Sequence, residues 1–167
     1  MSGDAQHEEL SRDEAHPRAR EALVDAFFWD ASDATAPFGH ETGLSVLEEL
    51  RDFLDASPQG NPISLLGELL ERWEVANQDW DAVEADEVQA LGEDDEYSLL
   101  TRDDAMLALA FAQLVVQGRI DAEVRRRAML ALARQALPAL LLAWGELAHR
   151  RAERIDRMRA VLVQRWD

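Results

Sequence analysis

The sequence predicts an all-α fold, a single-domain helical bundle of about six helices. Apolar residues recur every three or four positions along most of the chain, and alternation typical of strands is absent over more than four residues. The chain has 167 residues, of which 47% are hydrophobic, which is enough to bury one core. We therefore expect residues 15–167 to form one helical domain after a flexible acidic tail over residues 1–14.

The first elements are a short helix and a long loop. His16-Pro17 predicts a helix start, because proline is favoured at the first helical position. The stretch from Trp29 to Gly43 holds a proline, two glycines, serine and threonine, which predicts a loop. Loops of this length inside compact domains are often functional.

Three shorter helices are predicted next. Thr42 is expected to cap the second helix, which has leucines along one face and charges along the other. Asn61-Pro62 predicts the start of the third helix. Asp81 is expected to cap a short helix that ends at Gly92, and a solvated acidic turn is expected to follow it.

The most apolar element is predicted over residues 102–117. From Ala105 to Val116 the only polar side chain is Gln113, so this helix should be central and buried. Thr101 is the expected cap, and Gly118 is expected to end the helix in a left-handed conformation.

The polar residues near the helix ends receive conventional roles. Asp103 and Asp104 are expected in a first turn, where the helix dipole favours acids. Asp121 is expected to cap the next helix, and Pro138 to break the chain. A final helix is predicted from Ala139 to about Arg165, with these arginines on its outer face: Arg150, Arg151, Arg154, Arg157 and Arg159.

Charge is divided very unevenly along the chain. Residues 1–100 hold 26 Asp and Glu and 5 Arg, a net charge of −21, whereas residues 101–167 hold 8 Asp and Glu and 12 Arg, a net charge of +4. The whole chain carries −17 and has no lysine. Such a charge opposes binding to nucleic acid or an anionic membrane and favours a basic protein partner.

The candidate partner-binding residues follow from this asymmetry. They are the acidic residues of one segment and two tryptophans at loop edges, where large aromatic side chains can anchor a partner: Glu84, Asp86, Glu87, Glu93, Asp94, Asp95, Glu96, Trp29 and Trp80. The alternative for the acids is an ordinary solvated surface.

The loop from Trp29 to Gly43 offers a second kind of site. Asp30, Asp33, His40 and Glu41 supply oxygen and nitrogen ligands that could gather a divalent metal for a metal-dependent enzyme. Local turns and helix capping are the alternative use of the same side chains. No catalytic motif accompanies them, and no cofactor is expected.

Arginines cluster at residues 125–127 and along the final helix. They lack interleaved aromatic residues, and the acidic remainder of the chain repels phosphate, so pairing within the molecule is favoured over direct nucleic-acid binding. Zero cysteines exclude disulfides and thiolate chemistry. The polar, acidic first residues do not read as a targeting peptide, and no apolar run is long enough to span a bilayer, which predicts a cytoplasmic protein without membrane contact.

Four segments resemble a known group. AHPRA at 15–19, FFWD at 27–30, APFGHETG at 36–43 and LLTRDDAMLALAFAQLVVQGRID at 99–121 together resemble the YfeS-like proteins. The resemblance covers most of the chain and implies a bacterial cytosolic protein, but it carries no catalytic residue across. Some YfeS-like proteins contain a WGR module; here Trp144-Gly145 is followed by Glu146.

These observations favour a non-catalytic acidic protein-binding module, such as an immunity protein or antitoxin that neutralises a basic partner. A rigid helical scaffold with one strongly negative half can steer onto a positive cleft at a high rate. The metal-dependent enzyme that uses the 29–43 loop is the alternative.

Overall fold

The computed structural model describes residues 10–167 and confirms an all-α fold. These residues form seven α-helices and no β-strand. The helices are α1 (Pro17–Ala22), α2 (Glu41–Ala56), α3 (Pro62–Arg72), α4 (Ala85–Gln117), α5 (Ala122–Gln135), α6 (Pro138–Leu142) and α7 (Ala148–Leu162). Short 3-10 helices cover Arg12–Glu14, Ala26–Trp29 and Gly145–Leu147. None of the helices in the described range is long and apolar enough to cross a membrane.

The C-terminal half of α4 is the centre of the bundle, as its apolar sequence predicts. Every residue from Ala105 to Val115 is buried, and α4 packs against α1, α2, α3 and α5. Phe111 is fully buried and its ring lies 5.3 Å from that of Phe28. Gly118 ends the helix with φ 70°, the left-handed conformation that glycine adopts without strain.

Two predicted helix starts are wrong. The cap of α2 is His40, whose Nδ1 accepts a hydrogen bond from the Gly43 N–H at 3.0 Å, rather than Thr42. Thr101 lies inside α4, which starts at Ala85 and has one non-helical residue, Asp95, within it. Both predictions followed the preference of threonine for helix starts, but here other side chains reach the free N–H groups.

The C-terminal segment is divided where one long helix was predicted. The short α6 ends at Leu142, a 3-10 turn follows, and α7 begins at Ala148. Gly145 has φ 59° in this turn, so the backbone leaves the right-handed helical region between the two helices. Arg151 on α7 is buried rather than on an outer face, and Arg154 is only about a fifth exposed.

The N-terminal prediction can be followed only in part, because residues 1–9 lie outside the described residues. Leu10 packs onto the domain: its N–H donates to the Trp29 carbonyl at 2.8 Å, and its side chain contacts the core. Leu10 thus contacts the domain, whereas the side chains of residues 11–14 are exposed.

Candidate functional site

The predicted acidic segment, residues 84–96, is exposed along one stretch of α4. Six of its seven carboxylates are solvent-exposed: Glu84, Asp86, Glu87, Glu93, Asp94 and Glu96. They lie on the N-terminal half of α4 and at its cap, and a kink at the non-helical Asp95 falls within the acidic turn predicted over residues 93–96. Helical backbone on the N-terminal side of the kink carries Asp86, Glu87, Glu93 and Asp94, and Glu96 follows the kink.

Asp95 has a structural role instead. Its carboxylate accepts hydrogen bonds from the Ser98 N–H at 3.0 Å and the Ser98 hydroxyl at 2.7 Å, and these bonds lower the pKa of Asp95. The Ser98 hydroxyl in turn accepts from the Ala76 N–H at 2.7 Å. Asp95 therefore caps the second half of α4 at the kink and ties it to the loop before the helix.

An apolar groove borders the acidic segment. The groove has a volume of about 560 Å³ and lies between residues 85–99 of α4 and residues 137–143 around α6. Val88, Leu99 and Leu140 are among its apolar lining residues, and Glu93 and Glu96 line it as well. We call this feature the acidic groove. Its combination of apolar walls and carboxylates suits a segment with both apolar and basic side chains.

Trp29 is not part of a recognition surface, so that prediction is wrong. Its side chain is 1% exposed and its indole N–H donates to the Leu23 carbonyl at 2.7 Å. Trp29 belongs to a short 3-10 helix that packs into the core together with Phe27 and Phe28. An aromatic residue at a loop edge can thus face inward, which sequence position alone does not reveal.

Trp80 lies half-buried between two arginines. The guanidinium carbons of Arg102 and Arg127 lie 4.7 Å and 5.1 Å from its ring centroid. Trp80 also lines a pocket of about 380 Å³ between α3 and the loop that precedes α4. The residue predicted as an anchor therefore forms the wall of a cationic pocket.

A buried ion pair lies beneath this loop. The Arg134 guanidinium donates to both carboxylate oxygens of Asp103, with a shortest distance of 2.9 Å, and also to the carbonyls of Trp80 and Ala82. Gln135 donates to the same carboxylate at 3.0 Å. Asp103 was expected at a helix start but is fully buried within α4, where it holds α5 and the loop together.

Three of the four predicted metal ligands bond to groups nearby in the sequence, and the fourth is exposed. Asp30 accepts from the Ser32 N–H and hydroxyl, and Asp33 accepts from the Thr35 N–H and hydroxyl. His40 caps α2, and Glu41 is exposed. Within residues 10–167, no group of three or more His, Asp or Glu side chains is placed to hold a metal ion. The local turns and caps are the arrangement that the structure shows.

The loop that carries these residues is fixed to α7. Arg151 donates to the Thr35 carbonyl at 3.0 Å, and Arg154 lies 3.4 Å from the Asp33 carboxylate. Glycine is required at Gly39, because a Cβ there would lie 1.5 Å from the Asp33 carbonyl oxygen. The loop is thus a packed part of the core.

Burial perturbs two titratable groups near this loop. Desolvation lowers the pKa of His40. The Arg151 cation lowers it further, whereas the Asp104 carboxylate raises it. Desolvation likewise raises the pKa of the Asp104 carboxyl, although His40 and Arg151 oppose it. Arg151 lies 4.0 Å from Asp104 at their closest atoms.

Arg126 and Arg127 of the arginine cluster pair within the molecule. Arg126 contacts Glu123 and Asp81, each at 2.9 Å, and Arg127 contacts Glu123 at 2.7 Å. The hydrogen bonds from Arg126 and Arg127 lower the pKa of Glu123 to about 2. Arg126 thereby joins the basic cluster to a carboxylate of the acidic half.

Comparison with known proteins agrees with the resemblance in the sequence. The chain is similar to YfeS. It is 28% identical over 133 residues to the protein named "Uncharacterized protein YfeS" of Escherichia coli (strain K12), and the match covers 79% of this chain and 54% of that protein. The chain thus spans about half the length of this relative. No protein-family model matches the chain, and no solved structure matches it.

Proposed function

We propose that this protein is a protein-binding module whose acidic groove takes a basic, amphipathic segment of a partner. The observation that carries the proposal is that the carboxylates of the acidic segment form no ion pair within the described residues, although Glu93 accepts a hydrogen bond from Gln89 and Asp95 accepts from Ser98. None of the ion pairs found among residues 10–167 uses a carboxylate from residues 84–96. The negative charges of these carboxylates can therefore attract the cations of a partner.

The apolar surface beside these charges supports a segment with a hydrophobic face. Leu142 is 76% exposed at the end of α6, and exposed Ala139 and Ala143 line the groove. A partner helix or extended segment can place apolar side chains here while its lysines or arginines meet Glu93 and Glu96. Neutralisation of a basic enzyme, as by an immunity protein or antitoxin, is the form of binding that this chemistry suits best.

The test uses a partner captured on the immobilised protein and then purified. Charge reversal at Glu87, Glu93 and Glu96 should lower its association rate at low salt at least about tenfold, and raising the salt should slow the unmodified pair in the same way. The control reverses exposed carboxylates on other helices, Glu48 and Glu68, and should change the rate little. Asp95 is left intact because it caps the helix.

A second variant tests the groove itself. Ala139→Lys places a long cation in the groove, so it should raise the dissociation rate, whereas Ala160→Lys on the exposed face of α7 should not. A partner that binds the charge-reversed protein and its control equally well, without salt dependence, overturns the proposal.

A further inference from the structure

A second site of different chemistry lies on the other side of the loop that precedes α4. The 380 Å³ pocket has an apolar wall formed by Ile63, Leu66 and Leu70 of α3. Arg102 of α4 and Trp80 of the loop line it as well. Its size falls within the range of small-molecule sites, and it shares no lining residue with the acidic groove.

The missing hydrogen-bond acceptors of Arg102 are the main indication that the pocket binds a ligand. Its side chain is 1% exposed, and only one of its three nitrogens, Nη1, has a hydrogen-bond acceptor, the Asp79 carbonyl at 3.0 Å. Nε and Nη2 have no hydrogen-bond partner; Nε lies 3.6 Å from an Asp103 oxygen, beyond hydrogen-bond distance. Buried guanidinium N–H groups that lack acceptors are costly, and a carboxylate is the acceptor that matches their geometry.

The acceptors that Arg102 lacks are not supplied by the carboxylate next to it. The nearest carboxylate, Asp103, already accepts three hydrogen bonds from Arg134 and one from Gln135. One buried carboxylate therefore faces two buried guanidinium groups, Arg102 and Arg134. An anionic ligand in the pocket would supply the second negative charge.

Two other polar groups of the pocket are hydrogen-bond acceptors, which suits a ligand that also carries a donor. Gln78 lines the pocket, and its side-chain oxygen is buried without a hydrogen-bond partner. Glu71 lines the pocket from the exposed side of α3. An amide oxygen and a carboxylate both accept hydrogen bonds, so they suit an ammonium group.

We propose that this pocket binds a small apolar amino acid. Its carboxylate pairs with the free N–H groups of Arg102, its ammonium group is accepted by Gln78 and Glu71, and its side chain packs on Ile63, Leu66 and Leu70. Each of the three ligand parts thus meets lining groups of matching chemistry, and Arg102 and Gln78 each have buried polar atoms without a hydrogen-bond partner.

The test is a titration of the full chain with leucine, followed by the indole N–H signal of Trp80 in a two-dimensional ¹H–¹⁵N spectrum. Trp80→Phe assigns the signal. We expect a saturable shift of this signal with leucine. The shift should saturate only at higher concentrations of 4-methylpentanoate, which lacks the ammonium group, and should not occur with 3-methylbutylamine, which lacks the carboxylate. An equal response to sodium chloride, an equal response to the amine, or no response to leucine overturns the proposal.

Two variants separate a pocket ligand from a general effect on the fold. Arg102→Met removes the cation and should weaken leucine binding about tenfold or more. Because that change can also disturb the loop, Gly67→Leu serves as the second variant: Gly67 lines the pocket on α3, and open space surrounds the position of its Cβ. Gly67→Leu fills the pocket and should abolish the response, whereas Ser64→Leu on the same helix should keep it. Leucine binding that survives Gly67→Leu overturns the proposal.

Discussion

Removal of one partner from the buried pair of Asp103 and Arg134 should strongly destabilise the fold. Both side chains are fully buried, so removal of Arg134 takes three hydrogen bonds from Asp103 and leaves it with Gln135 and, at 3.6 Å, Arg102. Breaking such a pair costs about 3–5 kcal/mol. Arg134→Met also leaves the Trp80 and Ala82 carbonyls without their donor, which places this variant at the upper end of the range.

Chemical denaturation monitored by circular dichroism measures this loss. A change of about 3–5 kcal/mol is a large part of the 5–15 kcal/mol typical of a folded domain, and it corresponds to about 6–20 °C in Tm for a chain of this size. The control is Arg72→Met, which breaks an exposed pair with Glu49 and should cost less than about 1 kcal/mol. If Arg134→Met costs no more than this control, the pair does not hold the loop against α4 and α5.

Three further outcomes are expected. Phe111→Ala should cost about 3–5 kcal/mol in denaturant melts, whereas Val24→Ala at an exposed position should cost little, and a loss below about 1 kcal/mol at Phe111 would contradict its central place. Because the pKa of His40 is lowered in the folded state, the unfolded chain binds more protons just below pH 6.5, and stability should fall as pH falls through that window. His40→Asn keeps a cap for the Gly43 N–H and should flatten this dependence of stability on pH. An unchanged pH dependence would contradict the lowered pKa of His40. Added salt should raise Tm by screening repulsion within residues 1–100, and a lower Tm in salt would mean that attractive ion pairs dominate.

The fold could be predicted from periodicity, but the buried charges could not be read from residue type. The apolar run of α4 has one packing solution, a central position, and the structure adopts it. Arginine and aspartate are ordinarily surface residues, so Asp103 and Arg134 were not expected in the interior. Their burial depends on partners from distant parts of the chain, which only the fold brings together.

Spacing did contain part of that information. Arg151 precedes Ile155 and Met158 by four and seven residues, so it shares the apolar face of α7, and its burial follows from that register. Arg102 stands in the same relation to Met106 and Leu109 on α4. An arginine in register with an apolar stripe is thus a signal for a buried guanidinium group, stronger than the general preference of arginine for the surface.

The contacts of the arginines explain why the negative charges of the acidic segment have no ion-pair partner among the described residues. In the basic half of the chain, Arg102, Arg134 and Arg151 face the interior, where they anchor loops through backbone carbonyls. Arg126 and Arg127 share Glu123. None of these five arginines pairs with a carboxylate of residues 84–96, so they do not directly offset the negative charge of that segment. Under the proposed function, the internal use of arginine that anchors the loops also leaves the acidic groove open to a basic partner.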